Sequence, residues 1–185
     1  MSPLNRKPLD EHNMDLPFEL PERTHFSDEV YGVLGRALAF ATDFEGNCRA
    51  FATLIGLKAE PSVLHDEKHI NEFCTFIEKR NLFTHLKTIG DKFQFTEDVN
   101  NALNNGREAR NYIAHEAGLG LKHILENENR MKNFLDDIKK KIRKIAEANL
   151  LILFLSNYVS NAPNPTPEYL QGYVNSVVGW VCEEE

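Results

Sequence analysis

The sequence predicts an all-α fold, an up-and-down bundle of about five helices. Three observations predict it. The eight prolines stand at 3, 8, 17, 21, 61, 163, 165 and 167, so none lies between Ser62 and Ala162. A stretch without proline keeps every backbone N–H available for long helices. Apolar residues recur at helical spacing through most of it, and two-residue alternation is nearly absent, Lys92-Phe93-Gln94-Phe95 being the one short instance.

The first helix opens at Ser27, a capping residue followed by Asp28 and Glu29, whose charges suit the positive end of the dipole. Val30, Val33, Leu34, Ala37, Leu38, Ala41, Phe44, Cys48, Phe51, Ala52 and Ile55 then form one apolar stripe, and Gly56 is the expected stop. Glu45 falls within that stripe, about 40° round from Ala41. A carboxylate there needs a partner. Two readings stay open: an ordinary interhelical salt bridge, or a role in orienting Arg107 or Arg110. A second helix is expected from about Asp66 to Ile89. Ile70, Phe73, Cys74 and Ile77 face one way and Leu82, Leu86 and Ile89 another, so it either kinks near Arg80-Asn81 or is buried on more than one side. Thr96, with Glu97 and Asp98 after it, caps a third helix running to about Ala117, where Gly118 and Gly120 are the natural stop. A fourth helix is expected from about Leu121 to Tyr158. It ends in the apolar run Leu150 to Leu155, which suits a buried segment. After a loop from Ser160 to Pro165, Thr166 and Pro167 start a last helix carrying Tyr169, Leu170, Tyr173, Val174, Val177, Val178 and Val181. The organisation read from this is an extended N-terminal tail over 1–25 and a helical bundle over 26–182.

Composition narrows the function classes. At 185 residues the chain has the length of one domain with a full core. No apolar run approaches the ~20 residues of a membrane span, so no membrane partner is expected. Met1 to Pro21 carries charges and four prolines, unlike a signal peptide. Three well-separated cysteines, Cys48, Cys74 and Cys182, make neither a metal spacing nor a disulfide framework, and a cytoplasmic location is the expectation. The net charge of −7 argues weakly against nucleic acid, but acid concentrates toward the two ends. Residues 107–149 hold ten basic and seven acidic groups, a local net of +3 that includes Lys139-Lys140-Lys141 and Arg143-Lys144. Such lysines are equally well a solvated helix face.

The chemistry concentrates in Arg107-Glu108-Ala109-Arg110-Asn111-Tyr112-Ile113-Ala114-His115-Glu116. Arg107, Asn111 and His115 are one turn apart in series and line one helix face. Arg110 lies about 140° round from His115, so a single helix aims both at one point only if it ends, bends or meets a partner. A two-fold dimer offers the last solution, because an isologous contact sets the same patch of both chains face to face. These residue types suit RNA cleavage without a metal. A base takes the 2′-hydroxyl proton, an acid assists the departing 5′-oxygen, and histidine serves both roles near neutrality. Arginine binds phosphoryl oxygens bidentately and stays charged. Asn111 can hold the phosphate or fix the imidazole. Tyr112 can stack on a base, although a central bundle position is more often core.

Arg110, Asn111 and His115, an Arg-x4-His pattern late in a helix of an all-α chain, resemble the signature of the HEPN family. The resemblance covers the chain from its first helix to its last. It implies an HEPN-like bundle, a homodimer, and a metal-independent endoribonuclease site with Arg110, His115 and Asn111 as catalytic residues. Arg107 and Tyr112 would bind substrate and Glu45 would orient. RNA would be the partner, no cofactor would be needed, and an antitoxin or a defence-system protein would be a further partner, as in toxin–antitoxin and antiviral modules. The family also includes inactive dimerisation or ligand-binding modules, in which Arg110 pairs with Glu45 or Glu116 and His115 caps its helix. Where paired toxins carry a modifiable tyrosine two residues after the His, this chain has Ala117. Elsewhere, His65 and His69 are one turn apart, but His65-Asp66-Glu67-Lys68-His69 is not the His-Glu-x-x-His pattern of a zinc protease, and a structural or surface role fits better. His85 and His123 stand alone and read as surface or packing residues.

Overall fold

The computed structural model describes residues 23–59 and 66–183. The expected tail up to Glu22, and with it His65 and the prolines up to Pro61, lies outside the described residues. Within them the all-α class holds, but the helix count rises from five to seven: α1 His25–Ala59, α2 Glu67–Glu78, α3 Leu82–Phe93, α4 Glu97–His115, α5 Leu121–Leu125, α6 Glu128–Ser160 and α7 Pro167–Cys182.

Both extra helices arise where an asparagine interrupts an expected long one. Asn81 is extended (φ −82°, ψ 165°) and its side chain accepts from the Thr84 N–H, starting α3 afresh. That break lets the two differently facing apolar stripes each find the core. Asn127 does the same at φ −144°, ψ 120°, accepting from the Arg130 N–H and separating α5 from α6. At the first helix the cap is Thr24, not Ser27. The Thr24 hydroxyl accepts from the Ser27 N–H while Ser27 Oγ accepts from the Thr24 N–H, a reciprocal cap that buries Ser27.

Gly56 is no stop either, because α1 continues to Ala59. A Cβ on Gly56 would meet Phe73 Cζ at 2.4 Å, so glycine there admits the α2 ring. The expected caps at Thr96 and Thr166 occupy cap positions, and Thr166 Oγ1 accepts from the Tyr169 N–H.

α6 is the hub, packing on α1, α4, α5 and α7. Phe26 and Val33 share a cleft with Met131 and Leu135, Asn47 bonds Asn149, and Lys58 reaches the Val159 carbonyl. Position advances in the same direction along both helices, so α1 and α6 lie parallel. α4 runs antiparallel to α6, since Gly106 meets Ala148 while Tyr112 meets Lys141. α1, α4 and α6 meet closely at Gly106, where a Cβ would stand 2.3 Å from the Ala148 Cβ and 3.5 Å from Phe44 Cζ. The core there contains Phe44, Phe51, Ile138, Ile142, Ile145 and Ile152. The run Leu150 to Leu155 is only partly covered: Ile152 is buried and Phe154 is 40 % exposed, because apolar residues all round a helix outnumber the neighbours available. No helix among the described residues is long and apolar enough to cross a membrane.

Candidate active site

α4 presents two arginines, an asparagine and a histidine around its last turns. The close crossing at Gly106 seats α4 against α1 and α6, and this brings Arg110 over α1. There the Arg110 Nη2 donates to Glu45 Oε2 in a close ion pair, with both side chains less than a fifth exposed. The Nη1 atom of the same guanidinium donates to Asn111 Oδ1 at 3.2 Å and lies 3.3 Å from His115 Nε2. Glu45, Arg110, Asn111 and His115 therefore form one cluster drawn from two helices. Arg110 Nε is buried without a hydrogen-bond partner among the described residues.

The geometry answers how one helix brings Arg110 and His115 together. α4 ends at His115, and the N–H groups of Glu116 and Ala117 both bond the Tyr112 carbonyl at 2.9 Å. Arg110 and His115 both lie within α4, so it is the reach of the arginine side chain that spans the angle of about 140° between them. Gly120, at φ 70°, then lets the chain turn into α5. His115 itself is exposed.

An arginine offers only donors, so contact with His115 Nε2 requires that nitrogen to be the unprotonated one, with Nδ1 carrying the hydrogen. The Arg110 Nη1 and His115 Nε2 then converge on one point at the surface. A phosphoryl oxygen placed there would accept from the guanidinium, and a hydroxyl beside it could give its proton to the imidazole.

Two other expected site residues are placed apart from this cluster. Arg107 turns toward α3: its Nε donates to Asn104 Oδ1 at 3.1 Å, and its guanidinium stands 5.6 Å from the Phe83 ring centre. Tyr112 packs toward α6, half-buried, with the Lys141 ammonium 4.6 Å from its ring centre. Burial first, and the Asp137 carboxylate next, push the Tyr112 phenol upward from its ordinary pKa.

Of the two readings open for His85, surface or packing, the structure shows packing, and it adds Arg49, which the sequence did not single out. His85 is fully buried, and neither ring nitrogen has a hydrogen-bond partner among the described residues; Arg49 Nε is likewise buried and unpartnered. Burial pushes the His85 pKa down, the Arg49 and Arg80 cations add to that, and the Arg80 backbone and Glu45 pull the other way. His85 thus lies in the electrostatic reach of Glu45. Its place on the Leu82-Leu86-Ile89 stripe was the available signal of burial.

Among the described residues no group of three or more His, Cys, Asp or Glu side chains is placed to hold a metal ion. His69 Nδ1 lies 3.1 Å from its N-cap neighbour Asp66. No family model, curated protein or solved structure matches the chain.

Proposed function

We propose that this chain is a metal-independent endoribonuclease of HEPN type. The observation that carries the reading is the convergence of Arg110 Nη1 and His115 Nε2 at 3.3 Å, with Glu45 holding the other arm of the guanidinium. In the proposed reaction His115 Nε2 takes the proton of the 2′-hydroxyl. The 2′-oxygen forms its bond to phosphorus, the bond from phosphorus to the 5′-oxygen breaks, and the products are a 2′,3′-cyclic phosphate and a 5′-hydroxyl. Arg110 and Asn111 stabilise the charge on the phosphoryl oxygens.

One histidine cannot be base and acid in the same passage. A homodimer that sets two copies of this patch face to face would supply the second imidazole to protonate the leaving 5′-oxygen. An HEPN-like bundle, a cytoplasmic setting and a role in a toxin–antitoxin or antiviral system, with an antitoxin or defence protein as partner, belong to the same proposal.

The second reading is a catalytically silent dimerisation or ligand-binding module. The Glu45–Arg110 pair favours it, because a salt-bridged arginine between two helices already has a structural task. Incubating the protein with labelled RNA in EDTA, beside Arg110→Ala and His115→Ala, separates the two. The ribonuclease reading expects cleavage to cyclic-phosphate ends by the parent chain. It expects a loss of about 10²–10⁴-fold in His115→Ala, with helical signal and oligomeric state unchanged. A folded parent chain that leaves several RNAs intact would establish the silent module.

A further inference from the structure

The face of α4 that ends at His115 does not begin there. Asn100, Asn104, Arg107, Asn111 and His115 follow one another at three- or four-residue steps, a polar stripe along the whole helix. Its N-terminal half forms one wall of a groove of about 450 Å³ between α3 and α4. The other wall is a stripe of α3, where Phe83, Lys87 and Asp91 are again one turn apart. The two helices pass in opposite senses, since Phe83 at the start of α3 meets Arg107 while Phe95, just beyond its end, bonds Asn100 through its carbonyl. Phe83 therefore stands at the end of the groove nearest Arg110 and His115, and Phe95 at the other.

The chemistry of that end is specific. Phe83 is 56 % exposed, although it stands beside the well-packed Leu82 and Leu86. Arg107 covers part of its ring as a cation, and Lys87 lies one turn along. An exposed ring beside two cations stacks an unpaired base and holds its phosphate. The Asn104 oxygen accepts from Arg107 and its N–H donors have no partner among the described residues, so they can read a base edge or a sugar hydroxyl. The Arg107 Nη2 also lies 3.6 Å from the exposed Glu108 carboxylate, which a phosphate would have to displace, while Asp91 repels phosphate from the far end and orients a strand with its backbone toward Lys87 and Arg107. Arg107 and Asn111 are separated by about 6 Å along the helix axis, the span of a single nucleotide in an unstacked strand.

We propose that the α3–α4 groove is a nucleotide subsite next to the scissile phosphate, with a base stacked on Phe83 and a phosphate held by Arg107 and Lys87. It follows that the substrate is single-stranded RNA. A base paired within a duplex cannot offer its face to Phe83. This inference rests on the ribonuclease reading for its biological use, but the subsite can be tested separately.

Two measurements do so with the full chain. Cleavage is followed on an unstructured RNA and on the same RNA annealed to its complement. Binding of a fluorescein-labelled, uncleavable 2′-deoxy oligonucleotide of the same sequence is followed by anisotropy. Phe83→Ala is expected to raise KM and Kd about five- to hundredfold, the worth of one stacked base, with kcat within about twofold of the parent by the same reasoning. Phe83→Trp is expected to restore both, and the annealed RNA to be a poor substrate. Unchanged KM and Kd in Phe83→Ala, or equal cleavage of duplex and single strand, overturns the subsite and leaves the ribonuclease standing. A Phe83-dependent Kd in a chain that cleaves nothing keeps the subsite and sinks the ribonuclease. Phe83→Ala that splits a dimer without changing Kd assigns the ring to a protein interface and overturns the proposal. Neither cleavage nor binding by the parent chain overturns both.

Discussion

Two polar clusters tie α1 to its neighbours, and they are built on opposite principles. Asn47 on α1 donates to Asn149 Oδ1 at 3.0 Å, and Asn149 Nδ2 donates to the Tyr173 hydroxyl at 2.6 Å, so neutral groups link α1, α6 and α7. Two residues earlier on α1, Glu45 pairs with Arg110, whose other arm meets Asn111 and the exposed His115. In the neutral cluster the bridging amide, 7 % exposed, spends both of its ends on protein. The charged cluster keeps capacity in reserve: Arg110 Nε has no partner among the described residues, and His115 faces solvent. A closed neutral chain fixes helices in register. A charged cluster open at one end can trade an internal contact for a ligand.

The sharpest break in the comparison is Glu45→Gln. It removes one charge-assisted hydrogen bond to Arg110, worth about 1.5–3 kcal/mol, and on the ribonuclease reading cleavage falls about ten- to hundredfold. The helical signal should stay intact, and an unchanged rate would remove Glu45 from the site. Next comes Gly106→Ala, placed where α4, α1 and α6 meet between the clusters. The added methyl has no room against Ala148, so urea denaturation should show a loss of about 1–3 kcal/mol. Ala148→Gly in the same chain should recover part of it; a neutral single variant would mean that the helices separate easily. Asn149→Ala strands Asn47 and Tyr173, at a cost of about 1–2 kcal/mol. It should leave cleavage unaffected, and a matching fall in rate would show that the two clusters are coupled.

The smallest effect concerns His85. Its folded pKa is lowered by burial, so between that value and the ordinary 6.5 the unfolded chain binds more protons. The contribution of His85 is present above about pH 6.5 and is lost as pH falls toward the folded pKa. The melting temperature of the parent chain is expected to drop from pH 7.5 to 5.5. His85→Leu should flatten that slope, and identical slopes would place the titration elsewhere.

Much of this fold was legible along the chain. The absence of proline from Ser62 to Ala162 and the stripe from Val30 to Ile55 specify helices, and Thr166 with Pro167 mark a start, because caps and periodicity act within a few residues. A break near Arg80-Asn81 was one of two readings of the divided stripe, but Asn127 was not legible, since an asparagine inside an apolar pattern is as readily a tolerated surface residue as a cap. The motif residues were visible, and so was the angular problem of aiming Arg110 and His115 together. That the Arg110 side chain itself would span it was not, because side-chain rotamers leave no mark on spacing.

Sequence by itself thus determined which segments are helical, which face of each is apolar, and that Arg107, Arg110, Asn111 and His115 ride on one of them. Tertiary structure decided which partner each face receives. It chose Arg110 rather than Arg107 for Glu45, across 65 positions of sequence. It also turned Arg107 toward Phe83 and closed His85 into the interior. The physical reason is one of range: helix propensity and capping are settled by neighbours in the chain. The pairing of faces is settled by the shapes of whole helices, here by Gly106 letting α4 press against Ala148 and bring Arg110 within reach of α1.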